Sequence, residues 1–204
     1  MAKISTVDYA AIPGHASAMR TLGQNLNSEI TKAYESVKAM SNNWYGVRYN
    51  ALIKNFNDLI PEINKMLTLV VTDIPYTLET VANNYSQADQ GKNVVNASQT
   101  SPKKIQNIPT SSKVGLKFMT ESVKGTQTSV QGNFEKAISK MNEIEARFKK
   151  ITWTSDAATS FQKEFSKLKK AISDAFTEIK KQFKTLMDQT ISDIEKAETS
   201  NTMK

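Results

Sequence analysis

The chain has 204 residues and a formal net charge of +7, and 39% of its residues are hydrophobic. With only 7 glycines and 5 prolines, this composition favours long amphipathic helices over a layered α/β fold. The absence of cysteine excludes disulfides and thiolate chemistry, and a single histidine leaves most nucleophile–base and metal constellations impossible. No glycine-rich phosphate loop occurs. We therefore predict a non-enzyme with no cofactor, no metal site and no small-molecule substrate.

Hydropathy places further limits on the chain. No stretch approaches the roughly 18–20 apolar residues that a membrane-spanning helix needs. The N-terminus lacks the apolar core of a secretory signal peptide, so any export is expected to proceed without a cleavable signal.

Residues 1–86 are predicted to form a first helical hairpin. The first helix carries apolar residues in steps of three and four, which is typical of a helix packed lengthwise in a bundle: Met19, Leu22, Leu26, Ile30, Ala33, Val37 and Met40. A break at residues 41–46 contains Trp44 and Gly46, and the glycine can adopt a positive φ there. Pro61 and Pro75 fall within the second helix and are expected to bend it.

Residues 87–112 have no apolar period and contain Pro102 and Pro109, so we predict an exposed linker. When extended, these 26 residues reach about 85 Å, which exceeds the length of a 30–40-residue helix. The linker can therefore cross from one end of a helical bundle to the other.

Residues 113–204 are predicted to form a second helical hairpin. Its turn lies at Trp153, with Thr154, Ser155 and Asp156 as possible N-caps of the following helix. Leu116 and Met119 are expected to begin the apolar stripe of its first helix. The stripe expected for its second helix is Phe161, Phe165, Leu168, Ile172, Ala175, Ile179, Phe183, Leu186, Thr190 and Ile194.

The two hairpins are related by an internal repeat. A shift of 109 residues superposes the two tryptophans of the chain, Trp44 and Trp153, and aligns Leu52 with Phe161 without a gap. A single hairpin leaves its apolar stripe exposed, and the covalently attached second hairpin is the partner at the highest effective concentration. We predict an all-α fold in which the two hairpins pack antiparallel into an elongated four-helix bundle, a monomeric pseudo-dimer.

The Trp44-x-Gly46 turn, followed by Tyr85-x-x-x-Asp89 at the end of the second helix, resembles the WXG-motif small proteins exported by type VII (ESX) secretion systems of Gram-positive bacteria. The resemblance implies a secreted substrate, or an adaptor or chaperone for a larger effector. It also implies the secretion ATPase as a partner and Tyr85 with Asp89 as part of an export signal. Antiparallel packing would bring these two residues close to the Trp153 turn, forming a composite signal.

The second unit departs from the family pattern. Ser155 stands where the glycine would be and Ile194 where the export tyrosine would be, although Glu198 retains the acid. We therefore assign no independent export signal to residues 113–204. The opposite end of the bundle is expected to combine Trp44 and Gly46 with Ile194 and Glu198.

The sequence also allows other interpretations. Trp44 and Trp153 could be plugs that close the ends of the bundle, Tyr85 could be a core residue, and His15 is expected at the surface. The protein could instead be an intracellular helical interaction module. Residues 91–204 carry 20 basic and 12 acidic side chains and could contact nucleic acid or an anionic surface. However, the interleaving of the two charges favours a solvated helix face.

Overall fold

Four helical rods form one bundle in the computed structural model, which describes residues 7–89 and 91–201 apart from the side chain of Ala157. Residues 1–6 and 202–204, at the ends of the two predicted units, lie outside the described residues. The helices are α1 (Ile12–Ala39), α2 (Val47–Thr68), α3 (Ile74–Ala88), α4 (Thr120–Phe148) and α5 (Asp156–Asn201). A π-helical turn, Leu69–Asp73, joins α2 and α3 into a single rod, and a 3-10 turn, Met40–Asn42, follows α1.

The two hairpins pack head to tail. Helix α1 packs most extensively on α4, and α2 packs on α5, so each hairpin lies against the other along its length. The ion pair Arg48–Asp193 joins the beginning of α2 to the end of α5. The ion pair Lys65–Glu164 joins the end of α2 to the beginning of α5. These rods are therefore antiparallel, and the all-α bundle built from two tandem hairpins is confirmed.

Short antiparallel pairings join the two hairpins at both ends of the bundle. At one end β1 (Trp44–Tyr45) pairs with β2 (Lys117–Phe118), the segment that leads into α4. At the other end Trp153 pairs with Val7, in the segment that leads into α1. Each tryptophan turn is thus bound by the entry segment of the other hairpin, as expected for two copies of one unit.

The core is continuous between the hairpins. Phe134 of α4 lies between Phe176 of α5 and Phe56 of α2, with ring centroids 3.9 Å and 6.5 Å away. Phe176 is fully buried, whereas the predicted stripe contained its neighbour Ala175, which is only partly buried. Met187 is likewise buried in place of Leu186. Ile179, Phe183 and Thr190 are buried as predicted, so the stripe keeps its register and the two differences are choices between adjacent residues that depend on the rotation of α5 against its partners.

The second unit's first helix begins later than its apolar pattern predicted. Helix α4 begins at Thr120, and Leu116 and Met119 lie before it with 54% and 47% of their surface exposed. They follow the extended path of β2 and are therefore not core residues.

The two prolines of the second rod behave differently. Pro61 lies inside α2 without ending it, whereas Pro75 stands at the start of α3, immediately after the π-helical turn. A proline ring clashes with the carbonyl of residue i−4 in a regular α-helix, and at Pro75 the preceding turn departs from that regular geometry. Helix α1 comes close to this turn through Gly23, where an added Cβ would lie 2.9 Å from the Val70 carbonyl oxygen.

Candidate functional site

The Trp44 pole is the end of the bundle formed by residues 40–48 and 113–119. Trp44 is fully buried and contacts Phe118 edge to face at a centroid distance of 5.3 Å, while Phe183 stacks on it at 6.1 Å. Because both phenylalanines belong to the second unit, Trp44 acts as a plug between the hairpins and not as an exposed anchor. Its indole nitrogen has no hydrogen-bond partner in the part of the chain that the structure describes.

Gly46 caps α2 in a conformation that favours glycine. Its φ is +130°, and its carbonyl accepts the Asn50 amide at 3.0 Å. The positive φ expected at this turn is confirmed. An added Cβ would lie 3.4 Å from the Leu116 side chain, so the glycine also permits the close approach of the segment before β2.

The Trp153 pole is the opposite end, formed by residues 7–12, 85–89 and 148–156. Trp153 is 9% exposed, and the Asp8 amide donates to the Thr152 carbonyl at 3.2 Å. The Tyr9 hydroxyl, next along that segment, donates to the Asp89 carboxylate at 2.7 Å. Residues 7–9 therefore connect Asp89 to the Trp153 turn.

Tyr85 and Asp89 differ in exposure. Tyr85 is half-buried, whereas Asp89 is exposed and donates its amide to the Tyr85 carbonyl at 3.0 Å. The Asp89 carboxylate raises the pKa of Tyr9 through the hydrogen bond that it accepts and through its charge. Tyr9 is a member of this cluster that the sequence did not indicate, because its partner lies 80 residues away.

The second unit's site residues are separated by the length of α5. The Ser155 hydroxyl accepts the Ala158 amide at 3.1 Å, which confirms this residue as an N-cap. Glu198 is exposed in the last turns of α5, beyond Asp193, whose ion pair with Arg48 marks the Trp44 pole. The structure therefore brings Ser155 to the Trp153 pole and leaves Glu198 near the opposite end.

Residues 91–113, the strap, form a site that the sequence analysis missed. The sequence predicts an exposed linker here, but Ile105 and Ile108 are only 3% and 2% exposed. The strap runs antiparallel to α2 and carries the chain from the Trp153 pole to the Trp44 pole. The linker therefore joins the two ends of the bundle as predicted, whereas the prediction that it is exposed is wrong at Ile105 and Ile108.

Five asparagines hold the strap through its backbone, and we call them the asparagine ladder: Asn27, Asn50, Asn57, Asn64 and Asn83. Asn57 is representative, since it donates to the Ile108 carbonyl at 2.9 Å and accepts the Ile108 amide at 2.8 Å. Asn64 binds both groups of Ile105 in the same way, and Asn50 both groups of Ser111. Each side chain therefore satisfies the donor and the acceptor of one strap residue.

The spacing of the ladder has a geometric cause. Asn50, Asn57 and Asn64 are seven residues apart, and seven residues of α-helix advance about 10.5 Å. Three residues of an extended or polyproline-like chain advance roughly 9–10 Å, so a seven-residue repeat on the helix meets every third strap residue. An asparagine repeat on one helix face was the signal in the sequence that could have revealed the strap.

Closer to the Trp153 pole, a buried ion pair binds the strap backbone in the same way as the asparagines. Glu79 is 3% exposed and accepts the Ser98 amide at 3.0 Å, while Arg20 donates to the Ser98 carbonyl at 3.1 Å. The two side chains also pair with each other at 2.8 Å. Together they bind one strap residue as a single asparagine does elsewhere.

Several basic residues of the second half form ion pairs with acidic neighbours. Lys169 pairs with Glu145 and Lys180 with Glu135, the latter at 2.7 Å. The hydrogen bond from Lys169 lowers the pKa of Glu145. This interleaving supports the prediction of a solvated helix face.

His15 is half-buried and not a free surface residue. Its pKa is lowered by burial and by the nearby charges of Arg147 and Lys150, against a smaller opposing effect of Asp8. Its Nδ1 atom is buried without a hydrogen-bond partner among the described residues. Within residues 7–89 and 91–201, no group of acidic residues and histidine is arranged to hold a metal ion.

Comparisons with protein-family models, with curated proteins and with solved structures find no match to this chain. None of the helices that the structure describes combines the length and the apolar character needed to cross a bilayer.

Proposed function

We propose that this protein is a non-catalytic substrate of a type VII (ESX) secretion system, or an adaptor that is exported with a larger effector. The supporting observation is the cluster at the Trp153 pole. There Asp89 of the Tyr85-x-x-x-Asp89 sequence bonds to Tyr9, in the segment whose Val7 pairs with Trp153. An exposed carboxylate one helical turn from a half-buried tyrosine forms a compact surface that a partner can recognise.

The proposed partners are the secretion ATPase and, for an adaptor, the effector. Tyr85 and Asp89 would supply the recognised side chains, and the Trp153 turn with Ser155 would complete the surface. Trp44 and Gly46 would act by fixing the pairing of the hairpins. Glu198 would contribute separately, because it lies near the other end of the bundle.

Export from the native host tests the proposal. Two variants are compared with the native chain: a deletion of residues 85–89, and Tyr85→Ala. Each should be absent from the culture supernatant while its amount in the cells is maintained. Asp89→Asn retains an acceptor for the Tyr9 hydroxyl but removes the charge, so it separates recognition from packing. Tyr76→Ala is the matched control, because Tyr76 is an exposed tyrosine on the same helix. Undiminished export of the deletion variant would refute the signal assignment.

A second candidate function is an intracellular helical interaction module. It is favoured by apolar side chains clustered at the Trp44 pole, where Val47, Val114 and Leu116 are 87%, 97% and 54% exposed. Recovery of a stoichiometric complex from cytosol, with nothing in the medium, would favour this function over export. Binding of nucleic acid by the basic half predicts a steep salt dependence, and unchanged DNA mobility at low salt would eliminate it.

A further inference from the structure

We propose that the Trp44 pole carries a binding site for an acidic segment of a partner polypeptide, anchored by one bulky apolar side chain. The site lies at the opposite end of the bundle from Tyr85 and Asp89, so this inference does not depend on the export proposal. It follows from three features of the pole: a cavity, apolar side chains that the fold leaves exposed, and cations whose contacts are with neutral groups.

A cavity of about 340 Å³ opens between the two turns of the Trp44 pole. Gly46 and Gly115, both with positive φ, line it, and neither has a side chain to fill it. Val47 and Leu116 stand beside these glycines and form apolar walls. Thr190 completes the lining, and its hydroxyl is already hydrogen-bonded within α5. Sites for ligands begin near about 300 Å³, so this volume suits one bulky side chain.

The apolar side chains around the cavity contribute little to the core. Val47 and Val114 are 87% and 97% exposed, and Leu116 and Met119 are about half exposed. An exposed apolar cluster of this kind marks an interaction site. Because Val114 does not line the cavity, a ligand that fills only the cavity leaves it in water. A polypeptide covers the cavity together with its surroundings, as the apolar centre of a protein interface does.

The charge around the cavity selects an acidic partner. The two segments that form this pole contain three basic residues and no acidic residue. The Lys113 ammonium lies over the Tyr45 ring, 5.3 Å from its centroid. Lys117 donates to the Asn42 carbonyl at 2.7 Å. Neither contact offsets the positive charge, so both lysines attract carboxylates of a partner.

Arg48 and the end of α5 together orient the partner. Arg48 lines the cavity, and its Nη2 atom donates to Asp193. A guanidinium has five N–H donors, so this contact leaves others for a carboxylate of the partner. Asp193, Glu195 and Glu198 place negative charge along the final turns of α5. An acidic segment is therefore expected to lie over the two turns of the pole and to avoid the end of α5.

A binding experiment uses the full chain and a six-residue peptide in which Leu-Trp is flanked by two glutamates on each side. The methyl resonances of Val47 and Leu116 report on the cavity directly. We expect saturable shifts in a one-to-one ratio at peptide concentrations up to about 1 mM. A peptide with lysine in place of every glutamate should bind about tenfold more weakly, as should one with serine in place of Leu-Trp.

Exposed residues supply the variants, so the fold is maintained. Leu116→Ser should weaken binding about tenfold, because an apolar wall of the cavity is lost, and Val47→Ser makes the same test on the other turn. Lys117→Gln should weaken binding about twofold to fivefold, and added salt should reduce this difference. Val94→Ser and Lys104→Gln are the matched controls, since both residues are exposed elsewhere on the strap, and they should leave affinity unchanged.

Three results would overturn the proposal. The first is the absence of shifts at Val47 and Leu116 with the acidic peptide at about 1 mM. The second is equal binding of the acidic and the basic peptide, which would show that the pole does not select charge. The third is binding of indole-3-propionate as tightly as the peptide, unaffected by Val114→Ser, which would assign the cavity to a small aromatic acid.

Discussion

Replacing Asn57 with alanine tests whether the ladder stabilises the fold. The substitution removes the two hydrogen bonds that Asn57 makes with Ile108, at 2.9 Å and 2.8 Å. At about 1 kcal/mol each, their loss costs roughly 2 kcal/mol. The higher helix propensity of alanine returns about 0.5 kcal/mol, which leaves a net loss of about 1–2 kcal/mol. For a chain of this size, that loss lowers the melting temperature by about 3–6 °C.

The assay is thermal unfolding by circular dichroism, together with urea unfolding. Asn84→Ala should be neutral or slightly stabilising, because Asn84 is exposed on α3. Asn57→Asp tests the donor separately, since it can still accept the Ile108 amide but turns a second carboxylate oxygen towards the Ile108 carbonyl. We expect it to be no more stable than Asn57→Ala. Equal melting temperatures for Asn57→Ala and Asn84→Ala would refute the claim that the ladder secures the strap.

Three other substitutions test the packing of the bundle and its response to pH. Gly23→Ala should lower the free energy of unfolding, measured in urea, by about 1–3 kcal/mol, because the added Cβ would lie 2.9 Å from the Val70 carbonyl oxygen. Gly132→Ala is the control and should be neutral or stabilising, because Gly132 has open space around it. Phe176→Ala should cost about 3–5 kcal/mol in the same assay, and a cost below about 1 kcal/mol would contradict the stacked core. The pKa of His15 is lowered in the folded state, so its contribution to stability is present above pH 6.5 and is lost as the pH falls through the folded value. The melting temperature should therefore fall between pH 7 and pH 5, and the fall should be smaller in His15→Gln.

Local patterns in the sequence were sufficient to predict the helices and the antiparallel packing of the two hairpins. Apolar residues at three- and four-residue steps identify the face that each helix buries to within about one residue. The repeat that superposes Trp44 and Trp153 predicts two similar hairpins, and the head-to-tail bundle agrees with it. The choice between Phe176 and Ala175 could not be made in this way, because it depends on the rotation of α5 against Phe134.

The sequence by itself determined the helical hairpins, their turns and the reach of the connecting segment, since these depend on helix periodicity, glycine conformation and chain length. Only the tertiary structure decided where polar side chains find their partners. Asparagines are common in flexible segments and on helix surfaces alike, so the seven-residue spacing of Asn50, Asn57 and Asn64 on α2 is explained only when an extended chain with a matching rise lies beside them. The same holds for Tyr9 and Asp89, which are remote in sequence and become neighbours because the entry segment of α1 and the end of α3 meet at one pole.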